Sequence, residues 1–313
     1  MIPKADIVAW RQFAPWVTDA QVEQDLIICR ALVSIFQSPF LSERLAFRGG
    51  TALHKLYFNI PRRYSEDIDL VQITPAPIGQ VIDTLQELLN GFLGAPRRKQ
   101  TEQSVILTYR MESEGSPVLQ MRLKVEINTR EHFAVEGYQK QPFAVESRWF
   151  KGECEITTYI LEELLATKLR ALYQRRKGRD LFDLWLGVSE GKADAGKVIQ
   201  IFKHYMETEG QAVESMRYEK NLQEKMRHRG FLSDLNPLLP ADAAYDVQDA
   251  YVLIKNEIVD RIENSLKCTS SNGFGQIGSK TKRGFQNSYK PFLPFQQVSK
   301  CDSASFVKAS FFV

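Results

Sequence analysis

Apolar residues recur at helical spacing through Val22, Leu26, Cys29, Val33 and Phe36, with Thr18 and Asp19 ahead of them as candidate caps. This pattern predicts a helix over 18–39. The stretch RLAFRGG then reads as a short strand running into a turn, and TALHKLYF as a short helix with Thr51 as its N-cap. DIDLVQI is β-rich and stops before Pro75 and Pro77, which predicts a second strand. Residues 78–93 form an amphipathic helical pattern on Ile78, Val81, Ile82, Leu85, Leu88, Leu89 and Phe92. Two strand patterns follow, SVILTYRME (104–112) and LQMRLKVEIN (119–128). In the second, Leu119, Met121, Leu123, Val125 and Ile127 alternate with Arg122, Lys124, Glu126 and Asn128. CEITTY reads as a further short strand.

Beyond residue 158 the period changes to helical, in YILEELLATKLRALYQRR, RDLFDLWLGV, AGKVIQIFKHYME and DAAYDVQDAYVLIKNEIVDRIENSL. The switch predicts an α+β chain: a mixed sheet with flanking helices over 1–155, then an α-helical domain over 156–267. From 268 to 313 the chain is rich in Ser, Gly, Lys and Phe without sustained periodicity, and reads as a disordered basic, Phe-containing tail.

Composition narrows the class. Of 313 residues, 43% are hydrophobic and 25% charged, as in ordinary globular proteins. No apolar run approaches the roughly 18–20 residues of a membrane span, and MIPKADIVAWRQF lacks a signal-peptide profile, so the expectation is a cytoplasmic protein without membrane contact. Cys29, Cys154, Cys268 and Cys301 form no CxxC pair and stand at no zinc-ligand spacing, which points to free thiols. The net charge of +3 comes from the tail. Residues 270–313 hold six basic residues and one acid, so the rest carries 35 basic and 37 acidic residues, a net of −2. Contact with a polyanion therefore needs local patches rather than a global field.

The chemistry concentrates in FRGGTALHKLYFNIPRRYSEDIDL (47–70). On a strand, Asp67 and Asp69 point to the same side, a little under about 7 Å apart, and repel unless a cation lies between them. Carboxylate oxygens suit Mg²⁺, which takes one or two protein carboxylates plus substrate phosphates. Glu126, on the polar face of a neighbouring strand, is a candidate third carboxylate, and Lys124 shares that face. Gly49 and Gly50 allow backbone N–H groups close to a phosphate, at the start of a helix led by Thr51. Arg62 and Arg63 add positive charge. Taken singly, each feature has an ordinary structural reading. Glycine turn, short helix and strand-borne DxD in this order are more specific.

In the helical half, Leu161, Leu164, Leu165, Leu169 and Leu172 form an apolar stripe, yet Lys168 stands at one of its positions. Such a lysine either snorkels at the stripe's edge or reaches a polar cleft. Arg175 lies on the same face two turns later. KGRDLFDLW places Asp180 and Asp183 on one helix face, with N-capping an alternative for Asp180.

GGTALHKLY, RYSEDIDL, KVEIN and LEELLATKLRALYQRRKGRDLFDLW, in this order, resemble the AbiEii/AbiGii-type nucleotidyltransferase toxins, related to the MenT toxins, over roughly residues 20–265. The resemblance implies a polymerase-β-like nucleotidyltransferase core followed by a helical domain, and Mg²⁺-dependent use of a nucleoside triphosphate (NTP). It implies a toxin of a toxin–antitoxin or phage-defence system, with an antitoxin partner and RNA, tRNA in some members, as acceptor. By the family's motifs Asp67 and Asp69 hold metal, Lys168 binds triphosphate, and Asp180 and Asp183 belong to the active site. The second motif usually reads Lys-x-Asp, whereas Lys124-Val125-Glu126 ends in glutamate.

The leading expectation is nucleotidyl transfer. Gly49, Gly50, Thr51, Arg63, Ser65, Lys124, Lys168 and Arg175 meet the NTP; Asp67, Asp69 and Glu126 hold metal or activate the acceptor hydroxyl. The alternative is a non-catalytic NTP-binding module that signals through a partner.

Overall fold

The structure is a computed structural model and describes residues 2–262 except Ser116; the expected tail lies outside the described residues. Helix α1 (Lys4–Trp10) precedes α2 (Asp19–Gln37), whose start is fixed by a reciprocal capping box between Thr18 and Gln21. A short α3 (Pro39–Ser42) leads into β1 (Leu45–Arg48), α4 (Gly49–Leu56), β2 (Asp67–Gln72) and α5 (Gly79–Leu93). Five more strands follow: β3 (Arg97–Gln100), β4 (Ser104–Glu112), β5 (Gln120–Asn128), β6 (Tyr138–Glu146) and β7 (Lys151–Tyr159).

These strands form one mixed seven-stranded sheet in the order β3-β4-β5-β2-β1-β7-β6. The central pairs alternate in sense: β5 with β2 parallel, β2 with β1 antiparallel, β1 with β7 parallel. Strand β6 gave no clear sequence signal because Pro142 interrupts it, and it lies at the sheet edge, where a missing backbone donor is tolerated. Helices α2 and α5 pack over the apolar face, where Ile68, Leu70, Leu123, Val125 and Ile127 are fully buried or nearly so. The opposite face carries the polar alternates.

After the sheet come α6 (Leu161–Gln174), α7 (Gly178–Ser189), α8 (Ala195–Thr208), α9 (Ser215–Met226), α10 (Arg229–Leu232) and α11 (Val247–Glu257). Helix α6 packs against α7, α8 and α9, and also against α4, so its polar positions are brought to the sheet's polar face. No helix among the described residues is long and apolar enough to cross a membrane.

A buried polar knot fixes α4. Asp25 of α2 accepts from the indole N–H of Trp10 at 2.9 Å and of Trp16 at 3.3 Å, and pairs with Lys55 of α4 at 2.9 Å. Removing one partner of such a pair strands a buried charge, so α4 is held firmly against α2. Cys29 lies in the same knot with its thiol pushed up to about 12 by burial, which makes it an inert packing residue.

Candidate active site

A cavity of about 450 Å³ opens between the polar face of the sheet and α6. Its floor is set by strand register. Asp69 is flanked by Arg48 of β1 on one side and Glu126 of β5 on the other; Asp67 is paired with Lys124. Directly paired residues point the same way, so Asp67, Asp69, Glu126 and Lys124 all face the cavity, as does Arg48. Lys124 Nζ sits 3.2 Å from Asp67 and 3.1 Å from Glu126.

Both aspartates are held above the ordinary carboxylate range. For Asp67 the main cause is burial, opposed by Lys124. For Asp69 it is burial followed by the charge of Asp67, against which Lys124, Lys168 and Arg48 act. The pair therefore carries negative charge that the protein does not fully neutralise, on oxygen donors suited to a hard divalent cation. Among the described residues no three Asp, Glu, His or Cys side chains stand close enough to share an ion. The donor set fits a cation held by Asp67 and Asp69 and completed by water and phosphate oxygens, with Glu126 engaged by Lys124.

The double glycine meets these carboxylates directly. Gly49 has φ +81°, and a Cβ there would overlap the Asp69 carboxylate. At Gly50 a Cβ would overlap the Arg63 guanidinium and come within 3.4 Å of Lys168 Nζ. Both glycines line the cavity at the start of α4. The expected role of Thr51 changes. The helix begins at Gly49 with Arg48 as N-cap, because glycine takes the positive φ of the turn without a Cβ penalty. Thr51 is buried as the third residue of the helix. Its hydroxyl lies 2.7 Å from Ser65 Oγ and donates to the Asp67 carbonyl at 2.5 Å, so it braces the DxD strand instead of capping. Ser65 itself lines the cavity.

The helical half supplies the other wall. Lys168 is 7% exposed and lines the cavity, with Nζ 2.9 Å from Asp183 and 3.5 Å from Asp180. It reaches a polar cleft, and snorkelling to solvent is excluded by its burial. Arg63 makes a fork onto Asp183, Nε to Oδ1 at 2.7 Å and Nη2 to Oδ2 at 2.8 Å. Arg175, half-exposed at the rim, makes the same fork onto Asp180 at 2.7 and 2.8 Å. Asp180 and Asp183 are fully buried and touch these cations rather than the open space. Burial alone would raise the Asp183 carboxyl, but Arg63 and Lys168, with hydrogen bonds from His54 and Arg63, hold it well below the usual range. Arg62, expected beside the phosphates, instead pairs with Glu190 at the surface at 2.7 Å, outside the cavity lining.

Three further participants, His54, Arg48 and Arg170, are not marked by any motif of their own. His54, 1% exposed, accepts the Arg62 backbone N–H at Nδ1 (3.4 Å), so Nε2 bears the hydrogen that it donates to Asp183 (3.0 Å). Burial, first, pushes its pKa down to about 4, so the ring is neutral at pH 7. Arg48 and Arg170 share Glu131 at 2.6 and 2.7 Å, and Arg170 also pairs with Glu209 at 2.9 Å; both arginines line the cavity. Each sits beside a motif residue, Arg48 before Gly49 and Arg170 two residues after Lys168, which is the one clue that sequence offered.

The fold recurs in solved structures. MenT4, a nucleotidyltransferase toxin from Mycobacterium tuberculosis, aligns with a TM-score of 0.51 at 16% identity, over 87% of this chain and all of that one (100%). A candidate nucleotidyltransferase from H. pylori aligns with a TM-score of 0.51 at 15% identity, over 82% of this chain and 100% of its own. At these identities the likeness shows the fold alone. A search of curated proteins finds no match. Residues 30–252 match the family model described as the nucleotidyl transferase AbiEii toxin of type IV toxin–antitoxin systems. The chain belongs to this AbiEii family of nucleotidyltransferase toxins.

Proposed function

We propose that the chain transfers a nucleoside monophosphate from an NTP to an acceptor hydroxyl on RNA, with tRNA a candidate, and that it does so with Mg²⁺. The observation that carries this reading is the cross-strand row Arg48–Asp69–Glu126 facing Lys168 across one cavity. Residues 1–155 act as the nucleotidyltransferase core and 156–267 complete the site.

Gly49 and Gly50 present the start of α4 to the triphosphate, and Ser65, Lys168 and Arg175 surround its anionic oxygens. Arg63 adds charge behind Gly50. Asp67 and Asp69 hold the cation, which when bound supplies charge stabilisation on the reacting oxygens. Glu126 takes the proton from the acceptor hydroxyl while Lys124 keeps the carboxylate aligned. The hydroxyl oxygen bonds to the α-phosphorus, the bond to the bridging oxygen breaks, and pyrophosphate leaves. Asp180 and Asp183 position the cations from beneath. A toxin of this kind works in the cytoplasm and is held in check by an antitoxin, in the setting of phage defence.

The test incubates the full chain with labelled NTPs, Mg²⁺ and total RNA. Label is expected on RNA with wild type and lost by at least about a thousandfold with Asp67→Ala/Asp69→Ala. Tight NTP–Mg²⁺ binding with neither label transfer nor pyrophosphate would overturn transfer in favour of a non-catalytic module.

A further inference from the structure

The face of the sheet that carries Asp67 and Asp69 does not end at the cavity. It runs on across β5, β4 and β3 to the open edge. Register defines one row Asp67–Lys124–Thr108–Arg97 and the next as Asp69–Glu126–Ile106–Lys99; one step further out, Arg122 stands directly opposite Arg110. Arg97, Lys99, Arg110 and Arg122 are all exposed. Among the described residues none of the four makes an ion pair or a side-chain hydrogen bond, although Arg122 acts through its field on Asp67. An arginine facing an arginine across two strands is destabilising, and among the described residues neither forms an ion pair. Glu112, exposed at the far end of this face one row beyond Arg110 and Arg122, accepts from Gln120 at 2.8 Å.

Strands lie about 4.8 Å apart, so the β3 cations stand roughly 10 Å from β5, with its Lys124 and Glu126, and lead outward from the aspartates. This is a positive strip, one end of which opens into the site, on a protein body whose net charge is slightly negative. Its complement is a polyanion with one end inside the cavity. A cavity of about 450 Å³ that also receives a nucleotide admits a chain end and not a duplex. No aromatic side chain stands at these face positions, so the strip grips phosphates without stacking bases.

We propose that Arg97, Lys99, Arg110 and Arg122 form a track for the sugar–phosphate backbone of single-stranded RNA, which leads its terminal hydroxyl to Glu126. The proposal rests on the nucleotidyl-transfer reading with RNA as acceptor. The track reads charge and not sequence, so selection of one RNA comes from elsewhere in the complex.

The experiment uses the full chain and a short unstructured fluorescent RNA, titrated over a range of salt. The variant is Arg97→Gln/Lys99→Gln/Arg110→Gln; Arg122 stays because its charge also acts on Asp67. Three lost phosphate contacts should make the slope of log K against log salt shallower by about 2 and weaken binding about tenfold or more at moderate salt. NTP–Mg²⁺ binding by calorimetry should be unchanged, and the thermal melt should not fall, since among the described residues these side chains make no ion pair or side-chain hydrogen bond and the loss of Arg110 relieves its repulsion with Arg122. Arg110→Glu alone should weaken RNA binding more than Arg110→Gln. An unchanged slope and affinity in the triple variant, or no RNA binding by wild type, overturns the track. If wild type binds RNA with this dependence but transfers no nucleotide, the track stands and the transfer reading falls. If RNA is labelled with the same KM by wild type and variant, transfer stands and the track falls.

Discussion

The two walls of the cavity treat charge in opposite ways. On the sheet wall, Asp67 and Asp69 are held above the ordinary carboxylate range by burial and by each other. On the helical wall, Asp183 is more deeply buried yet held well below it, because Arg63, Lys168 and His54 converge on its two oxygens. The sheet wall keeps negative charge that an incoming cation can use. The helical wall is already neutralised, and its work is to hold Arg63 and Lys168 against the start of α4. Carboxylate charge left open and carboxylate charge already paired are thus built from the same residue type and separated by about the width of one cavity.

The largest effect that sharpens this contrast is expected at Asp183. Asp183→Ala leaves Arg63 and Lys168 buried and facing one another, and should cost about 3–5 kcal/mol in urea denaturation. Asp67→Ala, which removes a half-buried carboxylate from an unfavourable position, should cost far less. Equal losses for the two would erase the distinction between the walls.

A smaller effect, and one with a sign, is expected at His54. Its folded pKa of about 4 lies below the ordinary 6.5, so between those values the unfolded chain binds a proton that the folded chain refuses. Stability is then full above about pH 6.5 and falls as pH drops toward 4, by at most about 1.4 kcal/mol per unit. Protonation would also set an N–H of the ring against the Arg62 backbone N–H. Denaturation of wild type and His54→Gln from about pH 7 to about pH 5 checks this, with a flatter dependence expected in the variant. The same slope in both would assign the acid sensitivity to another group.

What was legible in sequence follows the range of the interactions. The DxD strand, the glycine turn and the apolar stripe interrupted by Lys168 are local patterns, and each is found where local periodicity put it. The pairing Arg48–Asp69–Glu126 needs the strand register, which no single strand specifies. His54 acts on a partner 129 residues away, and within its own short helix, beside Thr51 and Lys55, nothing local sets it apart. Thr51 is no cap although its residue type suits one, because the backbone conformation that decides where the helix starts belongs to Gly49. The DxD motif, read alone, explains the chemistry of the sheet wall and nothing of the scaffold opposite.

The smallest expected effect runs against intuition, because it improves the fold. Asp69 is favoured in its protonated form by the folded protein, so its contribution is present below the ordinary carboxylate pKa and is lost as pH rises through the raised one. At neutral pH it therefore opposes folding, and Asp69→Asn, which keeps the shape that Gly49 packs against, should raise stability by about 0.5–1 kcal/mol while removing transfer activity. The gain should vanish in acid, where the wild-type carboxyl is protonated. Added Mg²⁺ should raise the melting temperature of wild type and leave Asp69→Asn nearly unmoved, since a ligand stabilises only the state that binds it. A variant that is less stable than wild type at neutral pH, or that responds equally to Mg²⁺, would mean that Lys124, Lys168 and Arg48 already satisfy Asp69, and the sheet wall would then be as finished as the helical one.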